Sequence, residues 1–264
     1  MSIPDRSSAL AVVRQVLAAD FACSEESLQA ERVSISTARS RPGGRRHVRP
    51  ARFFEMVTLG DGVVIHCPSD RAPFLHEKLG HLNRGAIFSP ETFAFLRAYV
   101  EQEGLELRGP TPNYVCSEHE LIPADPPDSV EINFVEASDI PALYEHPGFT
   151  NALSYRADTG VPDMLATIAV SNREIVGMAG ASADSEAMWQ IGVDVLPEAR
   201  LRGIGRALVS RLVEGVLHAG RVPYYAHKLT NVTSAALAAS VGFRQAWVEM
   251  YARERQRPLD QWEP

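Results

Sequence analysis

Cysteine is scarce in this chain. Cys23, Cys67 and Cys116 are three in 264 residues, odd in number and far apart. That excludes a disulfide framework and a C-x-x-C metal site, and no metal is expected. It fits a reducing compartment, and the expected localisation is cytoplasmic. Long apolar runs are missing too: none approaches the ~20 residues that a membrane-spanning helix needs. The opening MSIPDRSSALAVVRQVLAAD places Arg14 inside its apolar stretch and has no clear small-residue cleavage site. It reads as an amphipathic helix, not a leader. Positive charge is also short, with a formal net charge of −7. That balance argues against nucleic acid or an anionic membrane as partner, and is compatible with a cationic substrate.

What remains is an ordinary globular composition, 45% apolar and 22% charged, long enough for two unequal domains. The proline-rich segment LIPADPPDSV, residues 121–130, is the expected boundary. It separates an accessory α+β domain at 1–128 from a second domain at 129–264. In the first, a helix is expected near Ser7–Ala19 and a hairpin around Gly60–Gly62. Further helices are expected at Asp70–Leu79 and Pro90–Glu103. The arginine-rich run RSRPGGRRHVRPAR reads as a solvated, mobile loop. His66 and His76 are isolated. In the second domain the order is strand, helix, three strands, helix, strand, helix, strand, an α/β pattern. AMWQIGVDV alternates, with Trp189, Ile191, Val193 and Val195 on one face and Gln190, Gly192 and Asp194 on the other.

The densest signal is PEARLRGIGRALV, residues 197–209, between a strand-like and a helix-like run. A Walker loop needs Gly-Lys-Ser/Thr at its end, and here Gly205 is followed by Arg206 and Ala207. A dinucleotide fingerprint needs a third glycine where Leu208 stands. Two glycines at a helix N-terminus with Arg200, Arg202 and Arg206 still serve an anion well.

Arg200-Leu-Arg-Gly203-Ile-Gly205 resembles the R/Q-x-x-G-x-G/A acyl-CoA pyrophosphate loop of the GNAT superfamily of N-acyltransferases. NVTSAALAASVGF resembles that family's N-x-x-A-x-x-L-Y-x-x-x-G-F segment, with Asn231, Leu237, Gly242 and Phe243 in place. The resemblance covers roughly Val130 to Glu254. The chain also looks like a bacterial group with an N-terminal extension, associated with zwittermicin-resistance acetyltransferases. The implied fold is a mixed, mostly antiparallel α/β sheet flanked by helices, with splayed fourth and fifth strands. The implied co-substrate is acetyl-CoA. Backbone groups of Val193, Asp194 and Val195 would pair with its pantetheine arm, and the Val195 N–H would polarise the acetyl carbonyl. The N–H groups of Leu201, Arg202, Gly203, Ile204, Gly205 and Arg206 would cradle the pyrophosphate. Asn231 would touch the coenzyme.

Acyl transfer to an amine needs a proton acceptor, an oxyanion donor and an acid for the thiolate. The family's usual acid is the tyrosine of its second motif, and here Ala238 stands at that position. Some members carry a glutamate base where this chain has Trp189, which is core or a wall of the acceptor pocket. Tyr225 is favoured over Tyr224 as replacement acid. Glu186, beside Asp184, is a candidate base acting through water, and His227 a candidate relay. Tyr155 and Tyr251 are candidates for the acceptor site. The expected activity is N-acetylation of a small-molecule amine, an amino-bearing antibiotic among the options, by direct attack in a ternary complex. The alternatives are a non-catalytic acyl-CoA-binding module and a protein N-acetyltransferase. A homodimer is compatible with the N-terminal domain.

Overall fold

The computed structural model describes residues 2–37, 41–46, 53–153 and 160–255. Helix α1, Arg6–Asp20, starts where the Asp5 carboxylate accepts the Ser8 N–H at 2.9 Å. Then come α2 (Glu25–Gln29), β1 (Val33–Ser36), β2 (Glu55–Thr58) and β3 (Val63–His66). Helices α3 (Ala72–Leu79), α4 (Arg84–Ile87) and α5 (Pro90–Glu101) follow, the last two capped by Asn83 and Ser89. Next are β4 (Leu105–Val115), β5 (Glu131–Glu136), β6 (Asp163–Ser171), β7 (Glu174–Ser182) and β8 (Met188–Val195). The chain closes with α6 (Ile204–His218), β9 (Val222–Ala226), α7 (Val232–Val241) and β10 (Arg244–Glu254). Among the described residues no helix is long and apolar enough to cross a membrane.

The chain groups into two compact units. The first comprises Met1–Val16, Gly43–Val48 and Asn113–Ala246; the second comprises Leu17–Pro42, Arg49–Pro112 and Trp247–Pro264. These units cut the chain elsewhere than the 128/129 boundary expected from composition. Residues 121–130 lie inside the first unit. There the Ile122 N–H donates to the Val241 carbonyl at 2.9 Å, and the Ala124 N–H donates to the Ser210 hydroxyl at 3.1 Å. Those bonds hold the segment against α7 and α6. They also give the buried Ser210 hydroxyl of α6 a partner.

In the first unit β5, β6, β7 and β8 pair antiparallel, β8 pairs parallel with β9, and β9 pairs antiparallel with residues 113–115 of β4. This is the mixed, mostly antiparallel sheet flanked by helices that the second-half pattern predicts. Leu208, Leu212 and Val216 of α6 are buried, and a Cβ at Gly177 of β7 would meet Leu208 at 2.9 Å. Ile140, Leu143, Phe149 and Leu153 pack with Met178 of β7. The helix expected after β5 is only a 3-10 turn, Ile140–Glu145. Pro147, just beyond it, cannot continue a helix.

In the second unit β1 pairs parallel with β3, β3 antiparallel with β2, and β2 antiparallel with β10. The β2–β3 hairpin forms where the sequence places it. Phe54, Ile65, Leu75, Leu96 and Val100 make its core. The arginine-rich run is not a loose loop where it is described. Arg41 donates to the Cys23 and Ala22 carbonyls at 3.1 and 3.3 Å, and the Arg45 side chain is buried. The Arg41 guanidinium thus finds two main-chain carbonyls that composition does not reveal. The rest of that run lies outside the described residues.

Candidate functional site: a cleft where two strands part

The register of β8 with β9 runs through Met188↔Val222, Trp189↔Pro223 and Gln190↔Tyr224, and stops. β8 continues to Val195 paired with β7 alone, and β9 continues paired with β4. The strands separate and leave one edge of β8 open. The Leu196 N–H donates to the Val176 carbonyl at 2.9 Å. Main-chain groups alternate sides along a strand, so Asp194 also faces β7. Val193 and Val195 turn their N–H and C=O groups to the open edge. The space between the parted strands is a cleft of about 1190 Å³ lined by residues of the first unit.

Past β8, a 3-10 turn, Pro197–Ala199, leads into the glycine-containing loop. The Arg200 Nε donates to the Val195 carbonyl at 2.9 Å, tying the loop to the strand end. Leu201 and Gly203 take positive φ of 60° and 84°. At Gly203, the residue before α6, that conformation calls for glycine. Gly205 has a different logic. A Cβ there would stand 3.5 Å from Val195 and 3.7 Å from Leu237, an ordinary fit. Packing does not demand this glycine, and in a helix it costs about 1 kcal/mol. Its bare backbone instead lets a ligand approach the first turn of α6. The N–H groups of that turn have no intrahelical acceptor, and the helix end carries partial positive charge. Nearby, Arg206 has a buried Nε with no hydrogen-bond partner among the described residues. An orphaned cationic donor beside free helical N–H groups fits a phosphate.

On the opposite wall, β9 divides its two tyrosines. Tyr224 is buried and donates its O–H to the Asp184 carboxylate. Tyr225 lines the cleft and packs on Phe243. Burial pushes the Tyr225 phenol above its ordinary value, a hydrogen bond with Ser234 pulls it back in part, and the Asp194 charge adds to the rise. His227 lines the cleft, stacked on Tyr114 with ring centroids 5.1 Å apart. Its Nδ1 lies 2.9 Å from the Lys228 carbonyl. A carbonyl only accepts, so Nδ1 carries the proton. Nε2 is shut from solvent and has no hydrogen-bond partner among the described residues. Asn231 caps α7, its side-chain oxygen accepting the Ser234 N–H at 3.0 Å.

The third wall is irregular chain, residues 150–153. It lies tight on β7 and β8, where a Cβ at Gly192 would meet the Asn151 carbonyl oxygen at 1.9 Å and one at Gly180 the Ala152 oxygen at 2.2 Å. Asp194 fastens it. Its carboxylate accepts the Asn151 N–H at 2.6 Å, the Asn151 Nδ2 at 2.7 Å and the Ala152 N–H at 3.0 Å. Asp163, Ser182 and Gln190 line the cleft as one cross-strand row. Tyr144 donates to Asp163 at 2.9 Å.

Of the expected coenzyme residues, Val193, Asp194, Val195, Leu201, Gly203, Ile204, Gly205, Arg206 and Asn231 line one cleft. Two are placed differently from the expectation. Asp194 turns its main chain to β7 and contributes a side chain. Arg202 does not line the cleft; its guanidinium reaches the Ser129 hydroxyl at 3.4 Å. Of the catalytic candidates, Tyr225 and His227 line it, while Glu186 is exposed in the turn before β8 and does not. Trp189 is buried opposite Pro223, as core and not wall. Tyr251 belongs to the second unit, paired with Glu55 of β2. Tyr155 lies outside the described residues. None of the three cysteines lines the cleft. Burial pushes the Cys23 and Cys67 thiols up to about 11 and Cys116 to about 12, so none offers a thiolate near neutrality. Sequence reasoning missed Ser234 and residues 150–153. Ser234 follows Asn231 by three residues, a usable signal; the wall has none.

Comparison with known proteins finds partial likenesses. The chain resembles a GCN5-related N-acetyltransferase-like protein of Streptococcus suis, with 16% identity over 62% of this chain and 68% of that one, at a TM-score of 0.45. It resembles a GCN5-related N-acetyltransferase of Kribbella flavida to the same 16% and 0.45, over 62% and 65%. YncA of Salmonella typhimurium, solved with its cofactor acetyl-CoA, matches at 19% over 50% and 98%, with a TM-score of 0.34. No curated protein matches by sequence. The family model that matches, over residues 164–248, is that of the GNAT acetyltransferases, and it spans β6 to β10, the stretch that holds the parted strands, the loop and both helices of the cleft.

Proposed function

We propose that the protein is an acetyl-CoA-dependent N-acetyltransferase that acetylates the amine of a small molecule by direct attack within a ternary complex. The observation that carries this reading is the joining, in one cleft, of an open β8 edge and a helix N-terminus with an orphaned arginine donor. The helix end and Arg206 would hold the pyrophosphate. The open edge at Val193 and Val195 would hold the pantetheine arm. The amine nitrogen attacks the thioester carbonyl carbon, and the oxygen that gains charge meets the Val195 N–H. Collapse breaks the C–S bond, and the leaving thiolate takes the Tyr225 proton. Tyr225 lines the cleft and, as a phenol, carries its proton near neutrality. The proton lost by the nitrogen passes to water in the cleft. Glu186 lies outside, and the His227 Nε2 is closed off, so neither is given a step.

Ala238 is fully buried and does not line the cleft, so the family's usual acid position is silent here. That favours a second reading, an acyl-CoA-binding module without turnover. One experiment separates the two: thiol release from acetyl-CoA, measured with a broad panel of primary amines. Release of coenzyme A with at least one amine is the expected result. Binding of acetyl-CoA without release from any amine supports the binding module. Failure of the wild-type chain to bind acetyl-CoA overturns both.

A further inference from the structure

We propose that Asp194 is a positioning residue for the acceptor, acting through the chain segment it holds and not by touching either substrate. This rests on the N-acetyltransferase reading. The cleft has one wall without regular structure, residues 150–153, where the Ala152 N–H also makes a turn bond to the Phe149 carbonyl at 3.2 Å. It gains definition from β8. The Asp194 carboxylate takes three donors from it, two main-chain N–H groups and the Asn151 amide, at 2.6, 3.0 and 2.7 Å. Ionised acceptors make short, strong bonds of this kind. The absence of side chains at Gly180 and Gly192 lets the wall lie directly on the strands.

The alternation of β8 makes this consequential. Val193 and Val195 present main-chain groups to the open edge, where the thioester would lie. Between them, Asp194 sends its side chain to the wall. Three consecutive residues thereby fix two things at once: the line of the thioester and the surface that faces it. Misplacement by about 1 Å between reacting groups costs on the order of 100-fold in rate. The wall lies on the strand face that also carries Ser182 and Gln190, away from the loop before α6. It therefore belongs to the acceptor and not to the pyrophosphate.

The test uses the full chain, acetyl-CoA and four amines of different class: spermidine, kanamycin, tyramine and triglycine. Acetyl-CoA affinity is measured by calorimetry, and kcat and KM for whichever amine is turned over best. For Asp194→Ala we expect kcat/KM for the amine to fall on the order of 100-fold, with acetyl-CoA affinity within about threefold of wild type. Asp194→Asn keeps an oxygen that accepts both main-chain N–H groups and should recover a large part of the loss. Gly192→Ala leaves Asp194 intact but drives a Cβ into the Asn151 carbonyl, and should reproduce the amine defect. Unchanged amine kinetics in Asp194→Ala overturn the inference. So does a parallel loss of acetyl-CoA affinity, which would mark a merely structural role. Wild-type binding of acetyl-CoA without turnover of any of the four amines overturns the enzymatic reading and the inference with it.

Discussion

Strands β2 and β8 each lie between two neighbours, but they end differently. All four residues of β2, Glu55–Thr58, pair with β3 on one side and β10 on the other, and all four are buried. Nothing along β2 is left for a ligand. β8 pairs with β7 to its end but with β9 only through Gln190, and its residues are half-buried from Gly192 onward. Backbone groups closed on both sides stabilise a core. Backbone groups released on one side become recognition chemistry. The sheet of the second unit is closed on both sides of β2, and that of the first leaves one edge of β8 unpaired.

That contrast can be broken from either side. The largest effect is expected at Phe54, fully buried beside β2: Phe54→Ala should destabilise the second unit by about 3–5 kcal/mol, read by chemical denaturation. Next is Gly203→Val, which puts a β-branched residue at a φ of 84°. It should cost about 1–3 kcal/mol of stability through backbone strain and, in protein that is still folded, weaken acetyl-CoA binding by more than about 100-fold in calorimetry. Unchanged affinity would remove the loop from the coenzyme site. Tyr225→Phe should lower kcat by about 100-fold while leaving acetyl-CoA affinity in place. An unchanged kcat would remove Tyr225 from the acid role. The smallest effect concerns pH. Buried His66 sits 3.0 Å from the Ser36 hydroxyl, and burial lowers its pKa below the ordinary 6.5. Between the folded and unfolded values the unfolded chain binds more protons. Its stabilisation is therefore complete above about pH 6.5 and is lost as pH falls through the lowered value. His66→Phe should flatten that acid limb in pH-dependent denaturation.

Apart from the helix expected after β5, the strand and helix order of the first unit was legible because period-2 alternation, turn residues and glycine caps are local signals. Orientation was less so. The motif holds Arg200, Arg202 and Arg206 without saying which faces the cleft, because that depends on the turn at Leu201 and the phase of α6. Alternation offered Tyr224 or Tyr225, and both are buried; the partner Asp184 decides, and it stands before β8. The role of the Asp194 side chain was invisible, since Asn151 lies 43 residues earlier in a stretch without period. The compact units were equally hidden. A run of prolines looks like a linker until Ser210 and Val241 are seen to bond it.

The bond from Arg200 to the Val195 carbonyl has one more consequence. An exposed strand edge offers donors and acceptors in alternation, and so invites another strand to add itself. At the last rung of β8 the acceptor is already filled, while the donor stays open. A lone carbonyl can dock there, as the proposed thioester would, but an incoming strand meets an acceptor that Arg200 already engages. The rung that would receive an acyl group is thereby a poorer template for β-addition than a fully open one.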